Sequence, residues 1–168
     1  MRYGLSGRIA LVASIVVIML AGAAPARAAL RIGGTLPTAS LSALQGQAVR
    51  VPDGLRGKVV VLHFWSVGCS SCKEEMPAME NIYRDYRKRG LEILAVNVGQ
   101  RPDEVKRFVG ELRTTYPMLL DQNRSAAKLY EVTGVPRTYI LDKTGVIRYK
   151  IIGGATEELL RKYIQSLL

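Results

Sequence analysis

"HFWSVGCSSCKEEMP", His63 to Pro77, gathers both cysteines, the only tryptophan and the only histidine of a 168-residue chain into fifteen positions. Two cysteines at a spacing of three admit three readings: a redox pair, half of a metal site, or chance helix composition. The residues leading in, "GKVVVLHFW" from Gly57 to Trp65, are an apolar, valine-rich run opened by glycine, the pattern of a strand buried on both faces. The residues leading out, Ser70 to about Lys88, place Met76, Met79, Ile82, Tyr83 and Tyr86 at three- and four-residue steps, which is one face of a helix. Pro77 is expected to kink that helix. Cys69 therefore stands where a strand ends and a helix begins. Backbone N–H groups at a helix start point at such a sulfur, and the helix dipole favours negative charge there, so the thiol pKa falls. Cys69 is expected to be the attacking, partly exposed sulfur, and Cys72, one turn inside, the shielded resolving one.

Further along, "LEILAVNVG" (Leu91 to Gly99) reads as a second buried strand. Pro102, Asp103 and Glu104 open a helix that runs to about Thr114. "YPMLLD" is a short strand and "NRSAAKLYEVTG" a short helix stopped by Gly134. "RTYILDKTGVIRYKIIG" is two strands turning at Lys143-Thr144-Gly145. Thr156 caps a last helix, with Glu157 and Glu158 in its first turn. The order after Arg56 is β-α-β-α-β-α-β-β-α. This alternation predicts parallel pairing with helices on both faces, plus an antiparallel edge from the closing hairpin. Leu30 to Arg56 is turn-rich and reads as a small hairpin laid on the main sheet. No repeat or linker divides the chain.

The first 28 residues are a separate matter. Arg2 and Arg8 precede eighteen uncharged residues, Ile9 to Ala26, and the stretch ends in Pro25 and the triplet Ala26-Arg27-Ala28. A basic start, an apolar run and an Ala-x-Ala end describe a secretory signal peptide cut after Ala28, leaving one domain over 29–168. The alternative is an uncleaved membrane anchor. Both place the folded part outside the cytoplasm, in the periplasm or on the extracytoplasmic face of the membrane. Removing the leader takes away three arginines and lowers the formal charge from +10 to +7. The remaining basic residues are scattered over helix faces without an RNA-binding signature, so they read as solvated surface, not as a nucleic-acid site.

Outside the cytoplasm an even number of cysteines normally means structural disulfides. Here the only pair closes a loop with two residues between its ends, which constrains the unfolded chain little, and a domain of this size needs no staple. Zinc asks for four ligands, and the chain offers three cysteine and histidine side chains in all unless acids complete the set. Redox chemistry is the stronger reading, without metal or cofactor.

The arrangement strand-Trp65-x-x-x-Cys69-x-x-Cys72-helix, Pro77 five residues on, and Gly134-Val135-Pro136 before a late hairpin resemble thioredoxin. The leader, the "L.GKVVVLHFW" entry, the Cys-x-x-Cys-x-x-Glu-x-Pro run and the extra strand-helix segment before "GVP" are closer to its exported TlpA/ResA/DsbE-like branch. The resemblance covers about Gly33 to the C-terminus. It implies a thioredoxin-like α/β fold: a central mixed sheet flanked by helices, an N-terminal β extension, and a strand-helix insertion before a cis-proline at Pro136. It also implies that the Val135 backbone holds a client strand, that Glu75 exchanges a proton with Cys72, and that Trp65 packs beside the active-site turn as part of the client site. His63 departs from the pattern: six residues before Cys69, thioredoxin has a buried aspartate and the ResA-like branch asparagine. An imidazole there offers a second acceptor for the Cys72 proton. Gly68, Ser70 and Ser71 depart as well, where the family commonly has tryptophan before the first cysteine and prolines between the pair.

The activity implied is thiol-disulfide oxidoreduction in the reducing direction. A membrane thiol-reductant transporter would supply the electrons to a monomer, which would reduce a client disulfide in apocytochrome c or in an oxidase assembly protein. Two rivals use the same scaffold. A thiol peroxidase would have proline and threonine shortly before its cysteine, and "LHFWSVGC" has neither. A copper-handling chaperone would have Cys-x-x-x-Cys and a histidine far downstream.

Overall fold

Residues 30–168 are described by a computed structural model. The leader expected over residues 1–28 lies outside the described residues. The chain forms β1 (Ala39–Ala43), β2 (Ala48–Val51), β3 (Val59–Trp65), α1 (Ser70–Tyr86), β4 (Leu91–Val98) and α2 (Pro102–Leu112). It continues through β5 (Met118–Asp121), α3 (Ser125–Leu129), β6 (Arg137–Leu141), β7 (Ile147–Ile152) and α4 (Glu157–Gln165). The strands make one seven-stranded sheet in the order β2-β1-β5-β4-β3-β6-β7.

β3 lies inside this sheet between β4 and β6, and all seven of its residues are buried. Successive side chains alternate faces, so one strand feeds two cores. Val60, Leu62 and Phe64 meet Tyr130 and Tyr139 on one side, with Phe64 edge-on to both rings at 6.0 and 6.5 Å. Val59, Val61 and Trp65 face Met76, Met79 and Ile82 of α1 and Leu160 and Ile164 of α4 on the other. A strand buried on both faces has no polar alternation, which is why "VVVLHFW" reads as it does.

β3 pairs in parallel with β4, and β4 with β5. β6, however, runs antiparallel to β3, with Phe64 opposite Arg137. The expectation of parallel pairing thus holds only as far as β5. The reason is length. α3 has five residues, about 7.5 Å of rise, whereas returning along a seven-residue strand needs about 23 Å. The chain stays at the rim where β5 ended and re-enters the sheet from there.

Two smaller expectations also change. α3 stops at Leu129, well before Gly134. The Val132 N–H bonds Ala127 C=O at 2.8 Å and the Glu131 N–H bonds Lys128 C=O at 3.3 Å, while Glu131 takes the left-handed φ of 55° usually given to glycine. The β1–β2 hairpin is not laid over the sheet. It continues the sheet in plane, with Ser42 and Ala43 pairing antiparallel to Leu120 and Leu119. α1 continues through Pro77, and Thr156 caps α4 by accepting the Leu159 N–H at 3.2 Å.

Candidate functional site

Ser66, Val67 and Gly68 carry the chain from the end of β3 to α1. The Cys69 N–H closes this turn on Ser66 C=O at 3.1 Å. Cys69 is the N-cap of α1, and its Sγ accepts the Cys72 N–H at 3.2 Å. The two sulfurs are joined in a disulfide with the Cα atoms 5.3 Å apart. Cys69 is half-buried and Cys72 has no exposed surface, as attack by one sulfur and protection of the other require.

A residue that sequence reading missed holds the turn from the side. Gln100 Oε1 accepts the Val67 N–H at 3.2 Å and the Asn97 Nδ2 at 2.7 Å, and Asn97 Oδ1 in turn accepts the Gln100 N–H at 3.3 Å. Asn97 is fully buried and lies opposite Trp65 in the sheet. The signal was present: one asparagine in the otherwise apolar "ILAVNV", Ile93 to Val98, because a buried amide is kept only where it has partners.

His63 and Glu75 meet beneath the turn. His63 Nδ1 lies 2.9 Å from Thr138 Oγ1 and 3.8 Å from Glu75 Oε2, and its Nε2 has no hydrogen-bond partner among the described residues. Burial lowers the His63 pKa to about 4, so the imidazole is neutral at pH 7. Glu75 is 7% exposed and one helical turn after Cys72, on the same face of α1. Burial raises its pKa, and the Ala155 N–H, which donates to Oε1, works in the other direction. Gly154 leaves room for this contact: a Cβ there would stand 3.4 Å from Glu75 Oε1. Of the two candidate acceptors for the Cys72 proton, Glu75 is the stronger base.

The depressed His63 value has a thermodynamic consequence. The folded pKa lies below the unfolded one of about 6.5. The associated stability is therefore complete above pH 6.5 and is lost as pH falls towards 4. The loss amounts to about 3 kcal/mol. Urea unfolding of the oxidised protein at pH 7 and pH 4.5 should show a decline smaller by most of that amount in His63→Leu than in the parent. An equal decline in both would mean that His63 titrates normally.

The Val135–Pro136 peptide bond is cis, as the resemblance implied. Pro136 is buried, its C=O accepts the Gly153 N–H at 3.0 Å, and it leads into β6 at the rim that carries Cys69. Val135 is half-buried between the two cores. Its N–H and C=O have no backbone partner among the described residues. A second cis bond, Val51–Pro52, was not foreseen. Trp65 requires a correction. It is fully buried and stacks on Phe108 at 5.2 Å between centroids, so it supports the turn from behind and presents no surface to a client.

The AhpC/TSA family model matches residues 32–150. The chain is 37% identical to the thiol-disulfide oxidoreductase ResA of Geobacillus thermodenitrificans, over 84% of this chain and 80% of that protein. It is 32% identical to ResA of Bacillus subtilis, over 80% and 75%. Among solved structures, a putative thiol:disulfide interchange protein DsbE from Chlorobium tepidum superposes with a TM-score of 0.77 at 25% identity, over 82% of this chain and 98% of that one. StoA from Bacillus subtilis superposes at 0.66 and 25%, over 76% and 96%.

Proposed function

The chain belongs to the AhpC/TSA family and is a thiol-disulfide oxidoreductase of the ResA/DsbE type, and from that premise we propose that it works outside the cytoplasm as a reductant of one client disulfide. The observation that carries this reading is the pair itself: a half-buried Cys69 at the start of α1 bridged to a fully buried Cys72. A partly exposed sulfur at a helix start forms thiolate readily, and a buried partner cannot be captured by bulk thiols.

In the reduced protein, Cys69 thiolate attacks one sulfur of the client disulfide. A Cys69–client bond forms, and the client's second sulfur leaves as thiolate. Cys72 then gives its proton to Glu75 and attacks Cys69 Sγ, breaking the mixed disulfide. The client leaves with two thiols and two electrons, and the protein is left as the Cys69–Cys72 disulfide. A membrane thiol-reductant transporter returns the electrons. Val135, presented by Pro136, holds the client strand at the rim by backbone pairing. The client is a heme-attachment cysteine pair of an apocytochrome c or a cytochrome oxidase assembly protein. Residues 1–28 direct export and are removed after Ala28, or remain as an anchor. The folded domain acts as a monomer.

Equilibrium titration against glutathione and dithiothreitol tests the direction. The pair is expected in the reducing half of the span from about −270 to −120 mV covered by thioredoxin-like dithiols. A value near −120 mV would make the protein an oxidant.

A further inference from the structure

We propose that the cleft between the active-site turn and the Val135 loop is a carboxylate subsite, which takes an acidic side chain of the client beside its disulfide cysteine on Arg124 and the amide of Gln100. This inference rests on the client-reducing reading above and adds the chemistry by which the client is chosen.

The cleft has a volume of about 240 Å³ and is lined by Ser66, Val98, Gln100, Arg124, Val132 and Val135. It lies just beyond the carboxyl ends of the parallel strands β3, β4 and β5, where open α/β sheets place their ligands. It also shares Val135 with the client strand, so a side chain one or two residues from the reacting cysteine reaches it.

Arg124 is set in position from both ends. Its backbone takes a left-handed φ of 59°, with its N–H on Asp121 C=O at 3.0 Å. The Asp121 carboxylate fixes the following turn by accepting the Ala126 and Ala127 N–H groups at 3.1 and 2.7 Å. The same Asp121 C=O accepts the Gly99 N–H at 3.0 Å, which ties the two walls together. The Arg124 stem then crosses Gly99, where a Cβ would lie 3.7 and 3.8 Å from its Cγ and Cδ. No carboxylate lies within ion-pair distance of Arg124 among the described residues; what sets it apart from other arginines without an ion pair, such as Arg87, Arg89 and Arg113, is that it lines this cleft. Its guanidinium is exposed and carries no anion among the described residues, so it is available to a carboxylate that enters the cleft.

The opposite wall supplies the second donor. Gln100 Oε1 is already occupied by Val67 and Asn97, so its NH₂ keeps both hydrogens for a ligand. Two donor groups between the apolar walls Val98, Val132 and Val135 suit one carboxylate, and the guanidinium repels a cation. Of the nearby acids, the Asp121 carboxylate is engaged by the Ala126 and Ala127 N–H groups, and Glu131 lies in the adjoining hollow with Lys128 and accepts the Leu30 N–H at 3.4 Å.

The test compares disulfide peptides that carry Glu or Gln at each of the two positions on either side of the reacting cysteine, in low-salt buffer with dithiothreitol returning the protein to its dithiol form and the uncatalysed rate subtracted. For at least one position kcat/KM is expected to be about tenfold higher for Glu, the effect residing in KM. Arg124→Ala should bring that Glu-to-Gln ratio to one, and Arg124→Glu should favour a Lys peptide over the Glu peptide. Using the ratio cancels any change in overall activity. No preference at any position, or a preference that survives Arg124→Ala, overturns the subsite and leaves the oxidoreductase reading intact. Failure of the parent protein to reduce any of the peptides overturns both.

Discussion

Replacing Cys69 by serine is expected to abolish client reduction, and replacing Cys72 by serine is expected to stop the same reaction one bond later. A serine hydroxyl at the start of α1 gains the same dipole and the same N–H contact as the sulfur, yet its pKa remains far above neutrality and it cannot open a disulfide. Turnover in Cys69→Ser should therefore fall to the uncatalysed exchange rate. Cys72→Ser keeps the half-buried nucleophile at the mouth of the helix but has nothing buried behind it to release the client. The product should be a covalent adduct, visible as a band of summed mass on a non-reducing gel that dithiothreitol collapses. Full turnover by Cys72→Ser would show that the two sulfurs have exchanged roles.

Glu75→Gln should leave the first attack intact and slow the second by about a hundredfold near neutral pH, within the usual range for a positioned proton acceptor. Glutamine has the same size and keeps an oxygen for the Ala155 N–H, so the packing around it survives. What it loses is the ability to take the Cys72 proton. Quenched-flow alkylation separates the steps: the rate of adduct formation should match the parent, while the adduct should persist. The sign with pH is fixed by burial, which raises the carboxyl above its ordinary value. In the parent, release of the client should slow as pH falls through that raised value and the base is lost; in the glutamine variant this inflection should vanish. Stability moves oppositely. A raised folded pKa contributes stability at low pH that disappears as pH rises through it, so Glu75→Gln should gain stability on the alkaline side. Equal release rates at every pH would move the proton to another acceptor.

The centre of this molecule was open to reading because it is the part with least freedom. A run such as "VVVLHFW" has only one use, and a cysteine pair at its exit has few. The cis bond at Pro136 followed from resemblance, since nothing in the local residues distinguishes it from the equally cis Pro52. The direction of β6 was missed because it depends on where α3 ends, and α3 is closed by Glu131 in a conformation that composition assigns to glycine. Trp65 was assigned to the client site by resemblance alone, whereas strand parity turns it inward onto Phe108. Gln100 escaped notice because its work is done through one oxygen shared between a buried amide and the turn. Side chains that act by holding others leave little trace in a spacing pattern.

The five-residue α3 has a practical corollary. Because it delivers the chain back to the rim it came from, the nucleophile, its proton acceptor and the client loop crowd one pole, and the other pole carries only connections. The turns at Lys88 and Thr144 belong to that idle pole and are exposed. They are the natural points for a fluorophore, a surface tether or a fused reporter, since freight attached there stands at the opposite end of β3 and β6 from Cys69 and Val135.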